Sequence, residues 1–193
     1  MVTKITAKEL AKKRYPRVLI PGIMLVLMVG AGGIMKGVDY YKNKAIFPDS
    51  GLVMTVEDGD TFELAKGQRV KMIGINAPER GNESFEESKL FLDSIVSDKK
   101  VWLEYDRYQD DKFGRILAWV WINCETENPK FLPADYMHLD GKTSREYITE
   151  NPDGCKNGVL VNRETVNADM AVPVEYEGRG RLKYRIEMGT ERK

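Results

Sequence analysis

The chain has 193 residues, and its 30 lysines and arginines balance its 30 aspartates and glutamates, so the formal net charge is zero. Its hydrophobic fraction of 42% is large enough for a packed core. There is one histidine, which excludes sites that need two, such as the HExxH zinc hydrolases. Two cysteines are too few for a four-thiolate zinc site. After these exclusions, a reactive site would have to be built from carboxylates, lysines and arginines.

The neutral total hides two parts of opposite charge. Residues 1–44 contain nine lysines and arginines and two acidic residues, a net charge of +7, which leaves −7 for residues 45–193. A domain with a net negative charge is not expected to bind nucleic acid tightly through bulk charge. A polyanionic ligand would have to be bound by a local basic patch or through a bound cation.

Residues 18–35 form an apolar stretch without a charged side chain. As a helix it would be about 27 Å long, close to the roughly 30 Å hydrocarbon core of a bilayer. Basic residues are concentrated just before it, so the positive-inside rule places the N-terminus in the cytoplasm. We therefore predict a basic leader (1–17), an uncleaved transmembrane signal anchor (18–35) and a linker (36–50), with the following domain extracytoplasmic. The alternative is a cleaved signal peptide and a secreted domain.

The remainder, 51–193, has the pattern of one small barrel domain. Apolar-rich and alternating runs bounded by turn-forming residues predict five strands, at 52–56, 61–64, 70–74, 101–105 and 116–122. Apolar residues at helical spacing predict an amphipathic helix over 84–96, between the third and fourth strands. This order favours an α+β fold, a β-barrel with helices in which five strands form an OB-fold barrel.

The pattern of apolar runs separated by turn-forming residues ends after the fifth strand. Residues 123–158 are polar and turn-rich, and we interpret them as an insertion, with Cys124 and Cys155 near its two ends. Outside the cytoplasm these cysteines could form a disulfide, whereas in the cytoplasm two free thiols are expected. A second helix is predicted over 159–171, and a charged tail from Glu175.

Three short motifs carry groups suited to chemistry. They are Asp58-Gly59-Asp60-Thr61, Asn76-Ala77-Pro78-Glu79 with the preceding Lys71, and Asp111-Lys112-Phe113-Gly114-Arg115. Each alone is an ordinary turn or strand end. Together, on one small barrel, they form a coherent phosphodiesterase site.

The residue types fit this chemistry. A hard cation needs oxygen ligands, which Asp60 and the Asn76 region can supply. The carboxylate of Glu79 can take a proton from an attacking water. Arg115 and Lys71 can stabilise the negative charge that grows on the phosphate.

On these motifs the chain resembles the staphylococcal nuclease (thermonuclease) family. The likeness extends over about 52–176, with the 123–158 insertion as its one large interruption, and is carried by 56–61, 70–79 and 111–118. The resemblance implies a barrel of the staphylococcal nuclease type and calcium-dependent endonucleolytic cleavage of DNA and RNA. It implies a metal-binding aspartate at Asp60 and a metal-binding backbone carbonyl at Ala77.

The resemblance also implies a catalytic glutamate at Glu79 and a catalytic arginine at Arg115. Two positions depart from the family pattern, because a second catalytic arginine is Lys71 here and a second metal-ligand aspartate is Asn76 here. Lysine lacks the planar two-pronged donor of arginine, and asparagine carries no negative charge, which weakens calcium binding. Arg69, two residues before Lys71, could substitute in part or be a solvated edge charge.

Two interpretations of function remain. The first is a membrane-tethered nuclease with Glu79, Arg115 and Lys71 as catalytic residues and Asp60, Asn76 and Ala77 as metal ligands. In this interpretation Lys112 and Phe113 bind the nucleic acid. The second is a catalytically weak or inactive barrel that serves as a nucleic-acid or protein binding module. The sequence indicates no specific protein partner.

Overall fold

A computed structural model describes residues 46–132, 148–174, 176 and 182–184. The predicted leader (1–17), transmembrane anchor (18–35) and most of the linker (36–50) lie outside these residues. Among the residues that are described, no helix has both the length and the apolar character needed to cross a bilayer.

Eight strands and two helices are described. In chain order they are β1 (Ser50–Asp58), β2 (Thr61–Leu64), β3 (Arg69–Met72), β4 (Ile75–Asn76), α1 (Phe85–Val96), β5 (Lys100–Glu104), β6 (Ile116–Ile122), β7 (Val159–Leu160), α2 (Val161–Asn167) and β8 (Val172–Pro173).

Five of the strands close into a barrel. The hydrogen-bonded order is β3-β2-β1-β5-β6, and a parallel pairing of β3 with β6 joins the two ends. Strand β7 extends this sheet beside β6, and β4 pairs with β8 in a separate two-stranded ribbon. Helix α1 lies between β3 and β5 in the chain, as predicted. The prediction of a five-stranded barrel with helices is confirmed.

The barrel interior is apolar because inward positions carry large aliphatic and aromatic side chains. All seven residues of β6 are buried, including Trp119 and Trp121. These two side chains share one face of the strand, since alternate residues point the same way. Both rings contact Tyr184, with centroid distances of 5.1 and 5.7 Å. The face of β6 that carries the tryptophans is therefore also covered.

The second helix is shorter than predicted. Its expected range was 159–171, but α2 covers only Val161–Asn167. Val159 and Leu160 instead pair with β6 as a short strand. At the other end, the left-handed backbone of Asp169, with φ of 60°, cannot continue a helix.

The insertion is closed at its base. Cys124 and Cys155 form a disulfide, and the backbone N–H of Lys130 donates to the carbonyl of Asp153 at 2.7 Å. The two described parts of the insertion, 123–132 and 148–158, are thus held together where they leave the barrel.

Residues 182–184 of the predicted charged tail are buried and pack with the core. Lys183 Nζ lies 3.1 Å from Glu104 Oε1, and both side chains are almost fully buried. The Glu104 carboxylate also accepts bonds from Trp121 Nε1 at 2.9 Å and the Tyr184 hydroxyl at 2.8 Å. The buried Lys183 ammonium is compensated by this carboxylate and by the backbone carbonyls of Tyr105 and Leu132, at 2.6 and 2.8 Å.

Candidate active site

Asp60 lies in the tight turn between β1 and β2. The turn is packed under helix α1, and a Cβ atom on Gly59 would collide with Ser88 Oγ and lie 2.9 Å from Ala77 Cβ. Only glycine permits this approach, which explains the Asp-Gly-Asp sequence. The carbonyl of Asp60 accepts the N–H of Met72 at 2.8 Å, so the turn is fixed to β3.

The buried carboxylate of Asp60 accepts three hydrogen bonds. Oδ1 accepts from the Thr61 hydroxyl at 2.7 Å. Oδ2 accepts from the backbone N–H of Ala77 at 2.9 Å and from the ammonium of Lys71, with which it forms an ion pair. The charge of Asp60 is thereby compensated inside the barrel wall.

Asn76 completes this group of side chains. It ends β4, where it pairs with Val172 of β8, and its Oδ1 accepts a bond from Lys71 Nζ at 3.2 Å. Asp60, Lys71, Asn76 and Ala77, which come from three separate parts of the sequence, therefore meet at one place. We call these four residues the Asp60 cluster.

Arg115 lies beside this cluster. Its Nε and Nη2 are each 2.7 Å from Asp111 Oδ2, and its Nη1 lies 3.5 Å from the Thr61 hydroxyl oxygen. Asp111 Oδ1 accepts the backbone N–H groups of Phe113 and Arg115, at 2.9 and 3.0 Å. One carboxylate thus shapes the loop and orients the guanidinium.

Phe113 stands at the tip of the same loop and is 66% exposed. The ammonium of Lys112 and the guanidinium of Arg115 lie 5.0 and 5.5 Å from the centre of its ring. An exposed aromatic ring close to two cations offers a surface on which a base can stack while its phosphate is neutralised.

Glu79 lies in the loop between β4 and α1, three residues after Asn76. It is exposed, and its carboxylate has no hydrogen-bond partner among the described residues. Its backbone carbonyl accepts the N–H of Asn82 at 3.0 Å, which fixes the loop. The carboxylate is thus accessible to water, as a proton acceptor must be.

The acids around the site differ in their proton affinity. Burial, together with the charge of the adjacent Asp60, raises the pKa of Asp58. Burial would also raise the pKa of Asp111, but hydrogen bonds from Arg115 and Phe113 outweigh it, so this pKa is lowered. Asp111 is therefore held in its charged form, as the partner of a guanidinium should be.

The structure separates Arg69 from the site. Its guanidinium forms an ion pair with Glu57, with Nε 2.5 Å from Oε1, and its side chain is 46% exposed. Of the two interpretations of Arg69, an edge charge fits this placement.

Three residues of the site received no role in the sequence interpretation. Thr61 joins Asp60 to Arg115, Asp111 orients Arg115, and burial and the nearby charges of Asp60 and Asp111 raise the pKa of Tyr176. The signal for Asp111 was its acid–base spacing of four residues from Arg115 inside the third motif. Tyr176 lies far along the chain, and no local pattern marks it.

The cluster suits a hard cation in one respect. Asp60 Oδ2 and Asn76 Oδ1 both face one positively charged atom, Lys71 Nζ, so two oxygen donors already converge on a cationic position. Among the described residues no three or more histidines, cysteines, aspartates or glutamates are grouped so that they could hold a metal ion. A metal here would need backbone, water or phosphate oxygens as further ligands.

Comparison with known proteins agrees with the geometry. The family model described as "Staphylococcal nuclease homologue" matches residues 69–170. The chain belongs to the staphylococcal nuclease family. The predicted family is thereby confirmed.

Three relatives illustrate the family's range. The chain is 32% identical over 133 residues to a thermonuclease of Staphylococcus intermedius, which covers 62% of this chain and 76% of the relative. It is 30% identical over 123 residues to a thermonuclease of Staphylococcus hyicus, and the match covers 54% of this chain and 73% of the relative. Over 74 residues it is 36% identical to a protein of Escherichia coli called "Uncharacterized endonuclease", and this match covers 37% of this chain and 47% of the relative.

Proposed function

We propose that the chain is a metal-dependent endonuclease that hydrolyses phosphodiester bonds in DNA and RNA, with calcium as the metal. The observation that carries this proposal is the placement of Arg115, held by Asp111 and joined through Thr61 to Asp60. A guanidinium fixed beside an acidic metal-ligand candidate is the arrangement that phosphoryl transfer requires. The thermonuclease relatives support the same activity.

Each residue has a role in this proposal. Glu79, exposed and without a partner among the described residues, accepts the proton of the attacking water. The Arg115 guanidinium donates to the phosphate oxygens as negative charge grows on them. Lys71 contributes a second positive charge, as a point charge rather than a two-pronged donor.

Asp60, Asn76 and the backbone carbonyl of Ala77 would hold the metal. A bound divalent cation supplies Lewis-acid stabilisation of the phosphate. Asp60 is the only one of the three with a negative charge, so weak calcium affinity is expected. Phe113 and Lys112 bind the nucleic acid next to the scissile phosphate, the ring by stacking and the ammonium by its charge.

The sequence of residues 1–35 supports a further part of the proposal, a nuclease domain tethered outside the cytoplasm by an uncleaved anchor. The disulfide between Cys124 and Cys155 is compatible with an oxidising compartment. Protease treatment of intact and of permeabilised cells tests this placement. Degradation of the domain while the cytoplasmic membrane is intact, with any outer membrane or wall removed, supports it, whereas degradation only after that membrane is lysed contradicts it.

A panel of metals tests the activity itself. The purified chain is incubated with labelled single-stranded DNA and RNA in the presence of calcium, magnesium or manganese, or with chelator. We expect cleavage with calcium and none with chelator. Equal cleavage with and without chelator would contradict metal dependence, and no cleavage with any metal would contradict the nuclease proposal.

One observation favours the binding-module alternative. The two departures from the family pattern, Lys71 and Asn76, are hydrogen-bonded to each other, and Lys71 also contacts the Asp60 carboxylate. Here lysine replaces a two-pronged donor and asparagine removes a charge. The double variant Lys71→Arg/Asn76→Asp restores both groups. If the wild type is inert and the double variant is active, the natural protein is a binding module. An active wild type would establish the enzyme.

A further inference from the structure

Lys71 lies where a bound cation would lie in the Asp60 cluster. Its ammonium contacts Asp60 Oδ2 and is 3.2 Å from Asn76 Oδ1. These are the two side-chain oxygens that the proposed function assigns to the metal. The protein therefore brings its own positive charge to the oxygens that would otherwise bind a divalent ion.

Oxygen Oδ2 of Asp60, which contacts the Lys71 ammonium, is fully engaged in this arrangement. Oδ2 accepts from both Lys71 and the N–H of Ala77, and Oδ1 accepts from Thr61. A carboxylate oxygen has two lone pairs, so Oδ2 has none left for a metal while the ammonium is in place. A divalent ion can coordinate Oδ2 only if Lys71 leaves it.

The ion pair is also shielded from water. Only 14% of the Lys71 side chain and 4% of the Asp60 side chain are exposed. Salt and solvent screen such a pair much less than a surface pair. Repulsion between the ammonium and an approaching divalent ion is correspondingly strong.

We propose that Lys71 is a tethered counter-ion of the metal site, which neutralises Asp60 and holds Asn76 in the metal-free protein and must be displaced before a divalent ion can coordinate Asp60 Oδ2. This inference rests on the proposed function, because it concerns the same metal ligands.

The neighbours of Lys71 in the sheet limit where its ammonium can lie after displacement. Lys71 on β3 is the direct neighbour of Thr61 on β2, and the Thr61 hydroxyl contacts the Arg115 guanidinium. Directly opposed residues of neighbouring strands share one face of the sheet. A Lys71 ammonium released by the metal would therefore stay on the face of the sheet next to Arg115, the residue that the proposed function assigns to the phosphate.

Calcium titration of the full chain tests the proposal. Calcium chloride is titrated by calorimetry into wild type, Lys71→Met and the matched control Lys66→Met, all kept in mild detergent because of the apolar stretch 18–35. Lys66 is exposed in the turn between β2 and β3, so its variant removes the same charge far from any partner of Asp60. We expect Lys71→Met to bind calcium at least about tenfold more tightly than wild type, because a like charge beside the ion is removed. Lys66→Met should stay within about twofold. Equal or weaker affinity in Lys71→Met, or no calcium binding by any of the three, would overturn the proposal.

A second measurement uses the wild type alone and stands even if Lys71→Met fails to fold. Lysine amines are acetylated with acetic anhydride, with and without calcium, and quantified by mass spectrometry. Calcium should raise the acetylation of Lys71 relative to that of Lys66, because the metal releases the ammonium from Asp60. Unchanged or lowered acetylation of Lys71 would overturn the proposal.

Neither measurement depends on cleavage, so the two proposals fail separately. If Lys71→Met binds calcium more tightly than wild type but no cleavage is seen, the nuclease proposal is refuted and the counter-ion proposal stands. Calcium-dependent cleavage with unchanged affinity in Lys71→Met would refute the counter-ion and leave the nuclease.

Discussion

Asp111 holds the guanidinium of Arg115 through one carboxylate oxygen, with Nε and Nη2 both 2.7 Å from Oδ2. Its other oxygen accepts the backbone N–H groups of Phe113 and of Arg115 itself. The residue that orients the candidate catalytic arginine is therefore also the residue that shapes the loop carrying it. In the proposed mechanism Arg115 is thus held in place by Asp111 before substrate binds, which would reduce the reorganisation needed in the transition state.

The variant Asp111→Asn should lower kcat by about tenfold with little change in KM, because the amide keeps an acceptor oxygen for the loop but loses the charge that holds Arg115. Steady-state cleavage of a fluorogenic oligonucleotide measures both constants. The matched control is Asp110→Asn, which removes the same charge from the exposed neighbouring residue. Equal effects in both variants, or an unchanged kcat in Asp111→Asn, would contradict a positioning role.

The buried pair of Glu104 and Lys183 should contribute strongly to stability. The variant Lys183→Met leaves the Glu104 carboxylate buried without its cation, and breaking a buried pair in this way costs about 3–5 kcal/mol. Urea unfolding near neutral pH measures the loss, with the exposed Lys66→Met as control. A cost of Lys183→Met no larger than that of the control would show that residues 182–184 do not pack on the barrel as described.

Glu104 should also make stability depend on pH. Burial raises its pKa above the ordinary value of 4.5, although Lys183 acts in the opposite direction. As pH rises above that ordinary value, the unfolded chain releases this proton before the folded protein does, so the free energy of unfolding falls.

Urea unfolding between about pH 4 and about pH 7 measures this effect against the double variant Glu104→Gln/Lys183→Met, which has neither charge. The stability of wild type relative to the variant should decrease with rising pH across that window. Parallel curves, or a relative increase, would contradict the raised pKa.

The disulfide should stabilise the domain by closing the base of the insertion. Cys124 and Cys155 are 31 residues apart, and the chain-entropy model gives about 3–4 kcal/mol for a loop of this length. A thermal melt should therefore shift to lower temperature when dithiothreitol is added. The variant Cys124→Ser/Cys155→Ser should melt at that lower temperature and respond no further to the reductant, and a reductant effect of the same size in this variant would contradict the assignment.

The barrel strands could be predicted because the residues that indicate each strand lie next to one another in the sequence. Strands β2 and β6 occupy the predicted ranges, 61–64 and 116–122, since turn-forming residues bound apolar runs there. The three motifs likewise marked Asp60, Asn76 and Arg115 without any knowledge of their contacts.

Contacts between distant parts of the chain could not be predicted. Lys183 lies 79 residues from Glu104, and its burial depends on an acidic partner that its own charged surroundings do not reveal. The ion pair of Lys71 with Asp60 is another case, because a lysine at that position also fits a side chain directed at phosphate. The end of α2 depended on the left-handed backbone of Asp169, which aspartate adopts only occasionally.

The proposed cleavage of nucleic acid depends on Glu79 as the proton acceptor. The most direct measurement is the single-turnover cleavage rate of labelled single-stranded DNA in saturating calcium, for wild type, Glu79→Gln and the matched control Glu83→Gln. Glu83 is exposed a few residues further along the same loop. We expect Glu79→Gln to lower the rate by about 10²-fold or more, since general bases contribute on that scale, and Glu83→Gln to cleave like wild type. A wild-type rate no higher than that of Glu79→Gln would contradict it.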